Sequence, residues 1–113
     1  MRAIPRQLLI HTVIHSRKAS EDAWGKESYG EETALTFVRM EPSAKVVRDK
    51  NGAEVQLSAV LFWDCRNSRP EGFSFRLDDV IVFRGQKHKV VTIEPLYDGR
   101  RLHHIELGVV AHA

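Results

Sequence analysis

Short runs in which apolar and polar residues alternate, separated by Gly, Pro, Asn and Asp, make up much of this chain. A period of two predicts half-buried β-strands joined by turns. The clearest run is Asp78–Ile93, DDVIVFRGQKHKVVTI, in which an acidic pair leads into Val80–Phe83 and Lys87–Ile93 returns. Gly85 can take the positive φ of a tight turn at Arg84-Gly85, which predicts a hairpin at the centre of the fold. Upstream, Leu8–His15 (LLIHTVIH) reads as a first strand. Thr33–Glu41 reads as a second, with Leu35 and Phe37 on one face and Ala34, Thr36, Val38 and Met40 on the other. Pro42 ends it, because proline has no N–H for a ladder. Between these strands, residues 16–32 are polar, carry Gly25 and Gly30 and have no apolar period; they are expected to form a long flexible loop.

Residues 44–59 suggest a second hairpin turning at Asn51-Gly52. A turn over 51–52 or over 49–52 gives the same facing, with Ala44, Val46 and Arg48 on the side of Val55, Leu57 and Ala59. The tip is then thinly apolar, whereas Val60–Trp63 is apolar on both faces and suits a strand buried on both sides. The expectation is a hairpin rooted near Val60–Trp63 that projects its tip. Arg66–Gly72 has turn composition, Phe73 and Phe75 suggest a short strand, and Asp98-Gly99 turns the chain between Val91–Leu96 and Arg101–Leu107. In all, about seven short strands without a helix predict an all-β fold, a small antiparallel barrel, SH3-like or related.

Length and composition agree with one domain over 1–113: the chain has 113 residues, 42% of them hydrophobic and 28% charged. The formal net charge of +2 is too small for a protein that coats nucleic acid, but it allows a local basic patch. A single cysteine, Cys65, rules out an intramolecular disulfide and fits a reducing compartment. Leu8–Ile10 is too short for a signal-peptide core, and no apolar run approaches the ~20 residues of a membrane span.

No nucleotide-binding, zincin, hydrolase or EF-hand pattern is present. His11 and His15, four residues apart on one strand face, stand about 13 Å apart and cannot share a metal. His103 and His104 are neighbours on a strand and should point to opposite faces. His88 is expected to point inward at the mouth of the core. Glu31-Glu32 and Asp78-Asp79 read as solvated faces. Lys45, Arg48 and Lys50 lie on the proposed projecting hairpin, with Arg66, Arg69, Arg100 and Arg101 on turns. The hairpin tip lacks the aromatic platforms of a nucleic-acid groove, so passing contact with a DNA backbone fits it better than base recognition. In the first loop Trp24 and Tyr29 either fold back to cap the core or anchor a partner.

Taken together, Leu8–His11 (LLIH), the DAWG of the first loop, Glu41–Lys50 (EPSAKVVRDK), Gln56–Pro70 (QLSAVLFWDCRNSRP), Asp79–Gly85 (DVIVFRG) and Glu94–His104 (EPLYDGRRLHH) resemble the minor capsid proteins encoded beside the portal and capsid genes of long-tailed bacteriophages and prophages. In size, loop and barrel pattern the chain is also similar to head–tail connector proteins, the stoppers or head-completion proteins. There a small β barrel forms a ring beneath the portal and a long loop or hairpin reaches into the channel.

The resemblance implies a structural, non-enzymatic virion protein without cofactor or metal that joins the portal-bearing head to the tail and helps retain packaged DNA. It would act at the head–tail junction, after a period in the host cytoplasm during assembly. Its partners would be portal or adaptor and tail proteins and copies of itself in a ring, with a monomer in isolation, transient non-specific DNA contact and no membrane. The implied channel- or DNA-facing residues are Lys45, Arg48 and Lys50; the implied subunit or partner contacts are Trp24 and Tyr29. The alternative from the residues alone is a small OB- or SH3-like nucleic-acid-binding module.

Overall fold

A computed structural model describes residues 2–112. A 3-10 turn at Arg6–Leu8 is followed by β1 (His11–Ser16), β2 (Lys18–Glu21), β3 (Glu27–Tyr29), β4 (Thr33–Pro42), β5 (Val46–Arg48), β6 (Glu54–Gln56), β7 (Ala59–Asp64), β8 (Val80–Phe83), β9 (Gln86–Asp98) and β10 (Arg101–Ala111). Six strands close an antiparallel barrel in the order β1-β4-β7-β10-β9-β8, so the expected all-β barrel forms. The other four make two separate two-stranded sheets, β2–β3 and β5–β6. The polar stretch expected as a patternless loop thus carries a hairpin of its own.

The Asp78–Ile93 hairpin forms as its pattern predicts. Phe83 pairs with Gln86, leaving Arg84 and Gly85 at φ +50° and +78° as a two-residue turn whose twist matches the strands. Val13, Leu35, Val38, Leu61, Ile81, Val90, Leu107 and Val109 fill the barrel and are all but inaccessible.

The facing predicted for β4 fails at Phe37. His11 pairs with Val38 and Val13 with Leu35, so β4 spends one residue more than β1 between these pairs. Phe37 takes φ +53° and turns outward, while Leu35, Val38 and Met40 all face the core. A β-bulge of this kind exchanges the faces of a strand, which strict alternation cannot anticipate. The outward Phe37 ring lies beneath the Arg6 guanidinium, 4.8 Å from its centroid.

Phe73 and Phe75 do not form a strand. Their rings pack on Trp63 at 5.9 and 5.3 Å and on His15 at 4.7 and 5.9 Å, closing one end of the barrel with an aromatic plug. Burial of the rings replaces the ladder that alternation led us to expect. At the other end His11 meets Phe83 edge-on at 4.7 Å, and His88 is buried as expected.

Asp79 is not solvated either. It is 1% exposed; its carboxylate accepts from Arg76 N at 2.8 Å and holds His15 Nε2 at 2.7 Å. Arg17 Nε stands 3.5 Å from the other oxygen, an ion pair too oblique to count as a hydrogen bond. The Asp79 backbone bonds Val90 N through its carbonyl. One residue therefore ties β1, the aromatic plug, β8 and β9. Burial alone would raise its carboxyl pKa, but the His15 and Arg76 hydrogen bonds and the charges of His15 and Arg17 outweigh burial and hold it below 3.8.

Asp64, also buried, organises the opposite turn. It accepts from Ile4 N, Arg66 N and Asn67 N at 2.8–3.1 Å, pinning the N-terminal segment to the end of β7. Gly108 permits a close layer over β10: a Cβ there would stand 2.2 Å from Thr92 Oγ1 and 3.1 Å from both Leu57 methyls.

Two outcomes follow from these contacts. Gly108→Ala forces Leu57 and Thr92 apart and should lower stability by about 1–3 kcal/mol, the scale of overpacking, read as a lower urea midpoint at unchanged slope. Asp79→Asn breaks a buried pair and should cost about 3–5 kcal/mol at neutral pH. A depressed carboxyl pKa stabilises the fold above the unfolded value of 3.8, and this is lost as pH falls through the lower folded value. The unfolding midpoints of wild type and Asp79→Asn should therefore converge in strong acid.

Candidate assembly interface and channel arm

The two small hairpins share one turn. In the first, Asp22 N donates to Lys26 O at 2.9 Å, Gly25 N donates to Asp22 O at 3.1 Å, and Gly25 has φ +80°. In the second, Asp49 N donates to Ala53 O and Gly52 N to Asp49 O, both at 3.0 Å, and Gly52 has φ +80°. Each is a three-residue loop, a type I turn closed by a left-handed glycine. In each, the aspartate Oδ1 accepts two further backbone N–H groups, those of Trp24 and Lys26 or of Asn51 and Ala53. The shared D-x-x-G in DAWGK and DKNGA is the sequence signal for both turns.

That loop length corrects the facing predicted for the second hairpin. Arg48 pairs with Glu54, Val47 with Val55 and Val46 with Gln56. An odd loop shifts the register by one residue, so Val47 joins Val55 on the half-buried side and Val46 is 58% exposed. The arm rests on the barrel instead of standing clear of it. Leu57 is buried over Gly108, Ser58 N donates to Val109 O, and Asp49, Lys50 and Val55 line a cavity of about 220 Å³ with Leu77, Asp78 and Val91.

Each basic residue of the arm faces a carboxylate. Lys45 Nζ is 3.7 Å from Glu94, and Arg48 Nη2 is 3.7 Å from Glu54 while its Nη1 donates to Gly52 O. Lys50 Nζ bonds Asp78, whose other oxygen lies 3.4 Å from Lys89. Asp78 takes φ +74°, a conformation Asp and Asn tolerate better than most residues. Its partial burial would raise its pKa, but the Lys50 hydrogen bond and the charges of Lys89 and Lys50 outweigh burial and bring it below the ordinary value. The acidic pair that opens the central hairpin thus divides its work: Asp79 holds the barrel together and Asp78 holds the arm.

Trp24 and Tyr29 are separated. Trp24 stands at the tip of the β2–β3 hairpin, 93% exposed, so it does not cap the core. Tyr29 is half-buried at the base, in a shallow recess with Ser16, Val80 and Val82. Two of the basic turn residues come together: Arg66 and Arg101 line a small cavity with Asp98 and His103. Arg69 instead donates to the carbonyls of Arg66 and Ser68 within its own turn.

His103 and His104 do not diverge. A bulge between Leu102 and His104 turns their rings together, with the Nδ1 atoms 2.8 Å apart. His103 Nε2 meets Arg2 O and His104 Nε2 meets Glu106 at 2.9 Å, so the chain of contacts ends on backbone and carboxylate. Burial pushes the Cys65 thiol pKa up, with the Asp64 charge adding to it, which disfavours the nucleophilic thiolate. Among the described residues no group of three or more His, Cys, Asp or Glu is placed to hold a metal. No helix there is long and apolar enough to cross a membrane.

Residues 5–109 match the family described as minor capsid protein. The chain belongs to the minor capsid protein family. No curated protein and no solved structure matches it. A minor capsid protein is a structural component of the virion, and the features above suit one: exposed hairpins, a docked arm and interior histidines used in packing. Its arm should respond to Asp78. Asp78→Asn keeps a residue suited to positive φ and removes the charge that Lys50 and Lys89 face. Amide exchange over 46–56 should accelerate up to about fivefold, the scale of a solvent-screened ion pair of ~1 kcal/mol, with global stability nearly unchanged.

Proposed function

We propose that this minor capsid protein is a head–tail connector subunit: copies ring the channel beneath the portal, and the arm Lys45–Leu57 faces the channel and helps retain packaged DNA. The observation that carries this reading is the way the arm is held. Its root is fastened by Leu57 over Gly108, with the 62% exposed Lys45 beside it facing Glu94, while its tip is fastened by the ion pair of the half-exposed Lys50 with Asp78. Pairs of that kind are weak and screened by salt, so a tip held by them can be exchanged for contacts in an assembly at little cost. Released, Lys45 and Lys50 become free to meet phosphate beside Arg48, whose acceptor Glu54 lies on the arm itself, and the tip has no aromatic ring on which a base could stack.

A domain that presents a Trp at one hairpin tip and a charged arm at another also suits a ring, in which two different surfaces of each copy meet. Portal or adaptor and tail proteins are then its partners, and the head–tail junction its place in the virion. A nucleic-acid-binding module is the second reading, favoured by the convergence of Arg66 and Arg101 at one end of the barrel. It requires salt-sensitive binding of short DNA by the free monomer.

Hydrogen exchange on the free protein and on the assembled connector tests the arm. Protection over 45–57 should change on assembly while that of Val80–Phe83 stays high; equal, strong protection of 45–57 in both states would remove the moving arm. Labelled cryo-microscopy of intact particles tests the location, and label on the outer shell instead of the head–tail junction would overturn the connector reading.

A further inference from the structure

We propose that Trp24 is a knob that inserts into an apolar groove on the next copy of this chain, the groove formed by Ile4, Leu8, Leu9, Arg39, Glu41 and Phe62. The inference deepens the reading of the chain as a ring subunit and rests on it for the presence of neighbouring copies.

The knob is built to be presented. Trp24 is 93% exposed, an unusual position for the largest apolar side chain, and the turn that carries it is locked by three bonds to Asp22 from Trp24 N, Lys26 N and Gly25 N. An anchor held rigid before contact loses little freedom on binding.

The groove is equally fixed. Its outer wall, the N-terminal segment, is pinned by Ile4 N to Asp64 at 3.0 Å and by Asn67 Nδ2 to Ile4 O at 2.8 Å. Arg39 Nη1 donates to Leu8 O at 3.0 Å and its Nε to Glu41 at 2.6 Å, which sets a guanidinium and a carboxylate at the groove. The space is about 300 Å³. Leu8 is 48% exposed and Ile10, just beyond, 64%, so apolar surface continues past the groove. Phe62 explains why β7 is apolar on both faces: Leu61 and Trp63 face the core, and Phe62 floors the groove.

The two surfaces both carry charges of each sign at their rims. Asp22 and Lys26 flank the indole, and Arg39 and Glu41 flank the groove, so each sign on one side has a partner on the other. Glu41, 45% exposed, offers an acceptor for the indole N–H, and Arg39 a cation for its face.

A knob cannot enter the groove of its own chain without crossing the barrel. The β2–β3 hairpin leaves the C-terminal end of β1 on the side of β8, where Tyr29 lies beside Val80 and Val82. The groove lies past the N-terminal end of β1 on the side of β4 and β7. The six residues of β1 alone span about 20 Å. Knob and groove on opposite flanks of one subunit make a head-to-tail contact, which closes into a ring or runs on as a filament.

Two exposed-site variants that spare the fold test the pairing. Trp24→Ala keeps the groove and loses the knob; Leu8→Asp keeps the knob and spoils the groove. Isotope-labelled Trp24→Ala protein is titrated with unlabelled Leu8→Asp protein and followed by amide NMR. Leu8, Arg39, Glu41 and Phe62 should shift, and with unlabelled Trp24→Ala as titrant the affinity should fall by at least about tenfold, the scale of an interface anchor. No shifts with the Leu8→Asp titrant, or equal shifts with both, would overturn the pairing. Absent shifts in a protein located at the head–tail junction would remove the pairing alone; shifts in a protein located elsewhere would remove the connector and leave the pairing.

Discussion

The buried contact between Asp79 and His15 is the constraint on which most of this fold depends. A carboxylate removed from water needs partners, and here one oxygen is bonded from β1 and from the segment after the aromatic plug while the other faces the Arg17 charge at 3.5 Å. Those partners come from parts of the chain far apart in sequence, so satisfying one charge sets how β1, the plug and the β8–β9 hairpin sit together. The same contact places Asp78 one residue earlier, at the surface, where it can receive Lys50 from the arm. A requirement of the interior thereby determines where the arm docks.

The two small hairpins show how similar turns can serve different ends. Both are closed by an aspartate cap and a left-handed glycine, and both tips are internally well bonded. They differ in what lies beneath them. The second rests on β9 and β10 through Leu57, with a cavity under its tip and ion pairs at its margin. The first carries Trp24 out to solvent at its tip and sets Tyr29 beside Val80 and Val82 at its base. The same turn thus serves a hairpin packed on the barrel and a hairpin that presents its tip to solvent.

Several readings of the sequence hold because local chemistry decides them. Arg84-Gly85 makes the predicted turn since a two-residue hairpin needs positive φ at both positions. Other readings fail where a single residue changes the count. The bulge at Phe37 turns a core aromatic outward, the bulge before His104 brings two histidines together, and the third loop residue in the arm exchanges its faces. Period-two reasoning has no means of sensing one extra residue, because the extra residue is tolerated or not according to the strand across from it. The D-x-x-G repeat was present to be read and identifies both turns; Asp79 was not legible, since nothing local distinguishes the fully buried aspartate from the partly exposed, lysine-paired one beside it.

The sequence by itself determined the class of fold, the central hairpin, the apolar strands and the membership in a virion protein family, because each is carried by short-range pattern or by extended similarity. Only the tertiary structure decided which carboxylate is buried, that each basic residue of the arm faces an acid, and that Trp24 faces solvent while a groove opens beside Phe62. These are outcomes of long-range pairing: a charge is free or neutralised, and an apolar side chain covered or bare, according to what the barrel brings next to it.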